Sequence, residues 1–298
     1  MSILLTTFFG SPVYSQDVAD STKQEVADST PVAGTKAPKP VKNTFSGVWL
    51  IDNQTVMVPI KGTFEFDIQH RFGSVKNGYK DFYGLFASSN IRFAFNYSPI
   101  DHLFVGLGLT KYKMTWDVNA KYAIFQQMNE GWKQVSVSIY SNAAIDTRSD
   151  EFFINFSDRL SYFHQLIIAR KITPEFSAQI APSVSHTNVV NGYYSEPGKV
   201  SPERNHNHFA IAFSGRYKLT ESLSFLINYD QPITKHKSGN PHPNLSFGLE
   251  STTSAHAFQL FAGNYYFLSP QQNNMYNTYD LTKGEFLIGF NITRLWNF

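Results

Sequence analysis

The chain has 298 residues, no Cys, a formal charge of +2, and 27 Phe, 16 Tyr and 4 Trp against only 16% charged residues. The lack of Cys excludes disulfide frameworks, thiolate metal sites and anchoring through a lipidated N-terminal Cys, and the near-neutral charge argues against nucleic acid as a partner. Mean hydropathy is −0.26 and no window approaches the ~18–20 apolar residues of a spanning helix, so a membrane-sized aromatic load must sit on segments that alternate apolar and polar residues.

Ile3 to Phe9 form a short apolar core, followed by Gly10, Ser11 and Pro12, with Val13 and Ser15 three and one before a cut ahead of Gln16. Residues 1–15 therefore read as an export signal that lacks its positive n-region; a buried N-terminal strand is the competing reading. Residues 16–43 are rich in Ser, Thr, Asp, Lys, Pro and Val and end in KAPKPVKN, the composition of a flexible periplasmic linker. Residues 44–61, with Phe45, Trp49 and Ile51, make a small plug, a periplasmic cap or two extra strands. Residues 62–298 carry the strand pattern.

In TFEFDIQHRF, Thr63 to Phe72, the residues Phe64, Phe66, Ile68 and Phe72 share one face and Glu65, Asp67, Gln69 and Arg71 the other. The same dyad returns with Ile91, Phe93, Phe95 and Tyr97; with Leu103, Val105, Leu107 and Leu109; with Trp116, Val118, Ala120 and Tyr122; and with Val135, Val137 and Ile139. Around Tyr162, Leu166 and Ile168 it is blurred by Phe163 and Ile167. It recovers at Phe176–Val184, Phe209–Tyr217, Leu223–Tyr229 and Leu245–Leu249, weakens around Phe258 to Gly263, and closes with Phe286 to Phe298. Short links alternate with long ones, except for a tight link near Lys111–Lys113 in a long-loop slot. Bacterial barrels have short periplasmic turns, long outer loops and an even strand number. The pattern predicts an all-β protein, a closed antiparallel up-and-down transmembrane β-barrel of 12 strands, or 14 should residues 45–60 contribute two.

A soluble β-sandwich would use the same dyad. Its strands usually span 5–6 residues, however, whereas most runs here reach the ~9–11 that cross a bilayer with tilt. Phe290, Ile292, Trp296 and the final Phe298 read as a C-terminal barrel-assembly signal, which implies the barrel-assembly machinery as a partner during biogenesis. Arg294 interrupts that apolar face about ten ångström from the periplasmic end, where an Arg reaches the interface by snorkelling.

Several stretches carry a resemblance: FEFDIQHRFG (Phe64–Gly73), LSYFHQLIIARKIT (Leu160–Thr173), HFAIAFSGRYKLT (His208–Thr220), PNLSFGLESTTSAHAFQL (Pro243–Leu260) and FLIGFNITRLW (Phe286–Trp296). Together they resemble a Bacteroidota outer-membrane β-barrel family, domain-of-unknown-function family 5777. The resemblance spans Phe45 to the C-terminus and implies an outer-membrane barrel with no activity attached.

The face turned from lipid carries the acids Glu65, Asp67, Asp117, Asp230 and Glu250 and the bases Arg71, Arg92, Lys121, Arg216 and Lys218. Small residues share that face, among them Ala94, Gly106, Gly108, Ser136, Ser183, Ser185, Ala210, Ala212 and Ser214, and leave room for water or an inserted plug. Two functions follow. One is a passive or weakly selective porin-like channel for small solutes. The other is a closed barrel serving as a membrane anchor or assembly partner for a periplasmic or surface protein, engaged through residues 16–60. His206 and His208 share a strand face near the predicted outer mouth, with His70 and His186 on the same rim, but no metal motif supports a site and none is assigned. His164 and His256 read as interface residues. No cofactor is expected and no enzyme: Ser161 precedes His164 by three residues and so faces the other way, and no nucleophile-elbow, P-loop or Rossmann fingerprint is present.

Overall fold

Alternation builds the architecture directly: each strand turns its apolar side chains outward and its polar ones inward, and a sheet with two such faces is stable only when closed on itself in a membrane. The computed structural model describes residues 38–298. The predicted export signal and most of the predicted linker lie outside them. Twelve strands form the wall: β1 Thr63–Ser74, β2 Asn90–Ile100, β3 Leu103–Thr110, β4 Thr115–Phe125, β5 Ser136–Asp146, β6 Leu160–Lys171, β7 Phe176–Thr187, β8 Asn207–Lys218, β9 Leu223–Pro232, β10 Asn244–Thr252, β11 His256–Gly263 and β12 Leu287–Asn297. Each pairs antiparallel with its sequence neighbours, and β12 pairs with β1 to close the ring. At the seam Gly62 has φ +84, and a Cβ there would meet the Phe298 carbonyl oxygen at 2.9 Å, so the first strand can start tight against the chain's last residue.

The burial pattern is that of a soluble protein turned inside out. Leu107, Val118, Ile139, Phe213, Phe247 and Leu260 are exposed on the outer wall. Glu65, Asp67, Gln69, Arg71, Arg92 and Lys121 are each at most 2% exposed on the inner one. An apolar belt of this extent is out of place in water and at home in hydrocarbon. Arg294 lies on the outer wall with its guanidinium 4.8 Å from the Trp296 ring centroid.

The two strands whose dyad is blurred have a common explanation. Phe163 and Ile167 of β6, and Phe261 of β11, face inward and are buried there. Phe261 occupies space left by Gly289, where a Cβ would fall 2.7 Å from its ring.

Residues 44–61 do not extend the sheet. They enter the barrel as a finger, with a two-residue hairpin, Trp49–Leu50 against Asn53–Gln54, at its tip. Phe45, Val48, Leu50, Ile51, Thr55 and Val56 of the finger are buried. At the long-loop end, the segment between β11 and β12 folds inward and carries α1, Pro270–Tyr276, with Gln271, Asn273, Asn274 and Met275 buried. The 188–206 loop forms a small hairpin, Gly192–Glu196 with Lys199–Pro202, outside the wall.

Candidate functional site: the occupied lumen

Every residue predicted to line the lumen lies on the inner face, and the structure sorts them by partner. Five contact the finger. The Trp49 indole Nε1 donates to Asp67 at 2.9 Å, and Arg71 Nη2 meets Asp52 at 3.3 Å. Lys121 Nζ donates to the Gln54 side-chain oxygen at 2.8 Å and to the Thr55 carbonyl at 3.2 Å. Asn53 donates to Asp230 at 2.7 Å, and the Ser46 hydroxyl donates to Glu250. Others satisfy one another: Arg92 holds Asp117 through two hydrogen bonds of 2.9 and 2.8 Å, and Arg216 reaches Glu250 at 3.1 Å. Glu65 accepts from Asn96 at 3.4 Å, and Asn96 also donates to Asp67 at 2.8 Å. Lys218 sits at the short-turn rim and pairs with Glu221 at 2.6 Å. A charge removed from water is tolerated when bonded in this way.

The finger's tip is the most constrained point. Ile51 has φ +57, the left-handed region that β-branched residues avoid and that glycine usually supplies in two-residue hairpins. Such a conformation costs on the order of 1–3 kcal/mol and persists only where surroundings over-determine it. Here they do. Ile51 is fully buried, its N–H donates to the Gln259 side-chain oxygen at 3.1 Å, and its carbonyl accepts from Asn291 at 2.6 Å.

Packing completes the seal. Phe45, Leu50, Ile51 and Val56 join Tyr140, Phe163, Ile167, Ala169, Ala181, Ala212, Leu226, Phe261 and Tyr265 in one apolar cluster inside the barrel. Above the finger, Asn273 of α1 donates to Asp52 at 2.6 Å and Gln271 donates to Asn142 of the wall at 2.8 Å. Between Trp49, Asp52, the wall and Leu268 the remaining void is about 10 Å³, no more than one water's worth of space.

Beside the charges stand amides that the strand pattern alone did not single out: Asn53, Gln54, Gln259 and the α1 amides. The run Gln271-Gln272-Asn273-Asn274 within a long loop was a usable signal, because amides donate and accept and so suit a lumen already furnished with both signs of charge.

The histidines meet in pairs and not at one centre, His186 stacking on His206 with ring centroids 6.2 Å apart. His208 Nδ1 meets His236 Nε2 at 2.9 Å, His186 bonds Asn207 and Asn188, and His70 is stacked on Phe290 at 4.9 Å on the outer wall. No group of three or more His, Asp or Glu side chains suited to a metal occurs among the described residues. His164 faces outward as expected, and its Nδ1 lies 2.9 Å from the hydroxyl of Ser141, directly opposite on β5. The relevant serine is a cross-strand neighbour and not Ser161. No carboxylate hydrogen-bonds this His among the described residues, so two polar side chains satisfy each other on the lipid-facing wall.

The family described as membrane bound beta barrel domain (DUF5777) matches residues 45–296. No curated protein matches the chain in sequence. Among solved structures the chain is similar to the NanC porin (10% identity, TM-score 0.47, covering 79% of this chain and 99% of that one). It is similar also to the KdgM porin (7%, 0.44, 79% and 99%) and to an outer-membrane channel from Pseudomonas putida F1 (10%, 0.47, 80% and 97%).

Proposed function

The chain belongs to the membrane-bound β-barrel family DUF5777, and from that premise we propose that it is an outer-membrane barrel shut at rest by its own residues 44–59, a closed anchor for a periplasmic partner and not a standing pore. One observation carries this reading: the finger is packed as a core, not laid loosely in a channel. Burying Phe45, Leu50, Ile51 and Val56 at ~1.5–3 kcal/mol each stabilises the inserted state by on the order of 6–12 kcal/mol against a water-filled lumen.

Short turns place the finger's mouth in the periplasm. There residues 38–43 run along the Gln126–Lys133 turn, with Val41 N–H donating to Gln127 at 2.8 Å and Asn129 N–H to Lys39 at 2.9 Å. Residues 38–43, held at the short-turn end, are where a periplasmic partner would engage on this reading.

Planar-bilayer recording tests the closure. The intact protein is expected to be silent, and a variant lacking residues 44–59 to give stepwise conductance, with heat-modifiable gel migration verifying that both are folded. Steady conductance by the intact protein overturns the reading. A folded, silent deletion variant overturns the assignment of closure to the finger and transfers it to the α1 loop.

A further inference from the structure

One cavity takes in inner-face residues of the wall, Thr115, Ser161 and Thr187, together with the loops above them. It opens at the long-loop end between the 111–114 turn, the 147–159 loop, the 188–191 segment and α1, with a volume of about 440 Å³. That is within the ~300–1,000 Å³ range of small-molecule sites.

Most of its charges are consumed by the loops themselves. Arg148 grips Asp146 at 2.8 Å. Arg159 donates to the carbonyls of Asp146 and Arg148 at 2.9 and 2.6 Å and pairs with Asp150. Asp158 accepts from the Ile154 and Asn155 N–H groups at 3.2 and 2.8 Å. Both guanidiniums lie over rings, Arg148 4.4 Å from the Phe152 centroid and Arg159 4.3 Å from that of Phe153. These groups are wall.

Lys113 is different. It lines the cavity, is half-buried, and lies over a ring as they do, 5.6 Å from the Tyr112 centroid, but has no acidic partner within bonding distance among the described residues. Its backbone is held at φ +58, and that of Met114 at φ +45. Two consecutive non-glycine residues in the left-handed region cost on the order of 1–3 kcal/mol each, and strain of this kind clusters where a side chain must be presented to a ligand. Around it stand the rings of Tyr112 and Tyr276, the latter with the Arg204 guanidinium 4.8 Å from its centroid, the hydroxyl of Ser161, that of Thr115, which donates to the Tyr112 carbonyl at 2.9 Å and can still accept, and the amide of Gln272. Burial lowers the Lys113 pKa from its ordinary value, an effect opposed by Asp146 and reinforced by Arg148. An ammonium so placed gains from a carboxylate entering beside it.

We propose that this cavity is an extracellular binding site for an acidic sugar, with Lys113 receiving the carboxylate, Tyr112 and Tyr276 lining the ring faces, and Thr115, Ser161 and Gln272 bonding the hydroxyls. A neutral sugar leaves Lys113 unanswered, and a small anion leaves the aromatic walls and hydroxyls unused. The cavity is lined by α1 and the long loops and by no residue of the finger, so ligand binding to the intact protein and conductance of the finger deletion are read separately.

Isothermal titration calorimetry of the full chain in detergent micelles tests it, with glucuronate, glucose and acetate as probes. Glucuronate is expected to bind saturably and more tightly than either. Lys113→Gln should weaken it about tenfold or more, the least expected for a lost charge-assisted hydrogen bond. Lys113→Arg should keep most of the affinity, and Lys133→Gln, in the short-turn end of the barrel, all of it. The proposal is overturned by absence of glucuronate binding to folded protein, by equal binding of glucuronate and glucose or of glucuronate and acetate, or by an unchanged affinity in Lys113→Gln.

Discussion

The inner wall has two contrasting arcs. One, from β1 to β4, is ionic and presents Glu65, Asp67, Arg71, Arg92, Asp117 and Lys121. The other, from β5 to β9, offers Tyr140, Phe163, Ile167, Ala169, Ala181, Ala212 and Leu226 to the finger. They do different jobs on the same guest. The apolar arc supplies most of the free energy of insertion, because burial from water is non-directional and scales with area. The ionic arc contributes less net energy, since each bond replaces one to water, but it fixes depth and rotation: one register alone brings Asp52 to Arg71 and the Gln54 side chain to Lys121 together.

That division can be broken from either side. With a single reporter, Thr55→Cys, in a chain that has no Cys of its own, maleimide labelling reads finger release under urea. Phe163→Ala in the apolar arc should destabilise insertion most, by about 3–5 kcal/mol, and bring labelling to much lower urea. Asp52→Asn in the ionic arc should cost less, about 1.5–3 kcal/mol, because the Asn still offers Arg71 an acceptor and Arg71 keeps Asn291 at 3.0 Å and the His70 carbonyl at 3.0 Å. Equal or inverted effects would refute the division of labour.

The smallest effect lies outside both arcs, at His236 in the 233–243 loop. Its pKa is lowered from 6.5, by burial first and by Arg204 next, with Glu203 opposing. A folded pKa below the unfolded one means the loop is favoured with a neutral ring. The contribution is present above pH 6.5 and declines as pH falls through that value toward the folded pKa. Mild acid should therefore speed limited proteolysis within 233–243, and His236→Gln should flatten the dependence.

The strand dyad was legible because lipid and lumen impose opposite demands on alternate residues, and the ionic arc could be read from Glu65, Asp67 and Arg71 alone. Where the dyad failed, it failed for a reason: Phe163, Ile167 and Phe261 answer to a third environment, the finger. Residues 44–61 were ambiguous because their partners are spread over nearly the whole chain, from Asp67 to Asn291, and no local pattern encodes a contact of that range. The Ser141–His164 pair was missed because pairing runs across strands and spacing runs along them. The outer cavity was invisible for the same reason, its walls coming from four separate loops.

The finger is a hairpin, and this has a mechanical consequence. Thr44 on its way in and Met57 to Ile60 on its way out border the same cleft beside Asp101 and His102 of a short turn. A folded-back segment with both legs at one doorway withdraws without any free end being drawn through the ring. The opposite exit is roofed by α1, which grips the tip through Asn273 and Asp52. Traction that uncorks this barrel must therefore act at the short-turn end, and a pull from the long-loop end draws the stopper against α1.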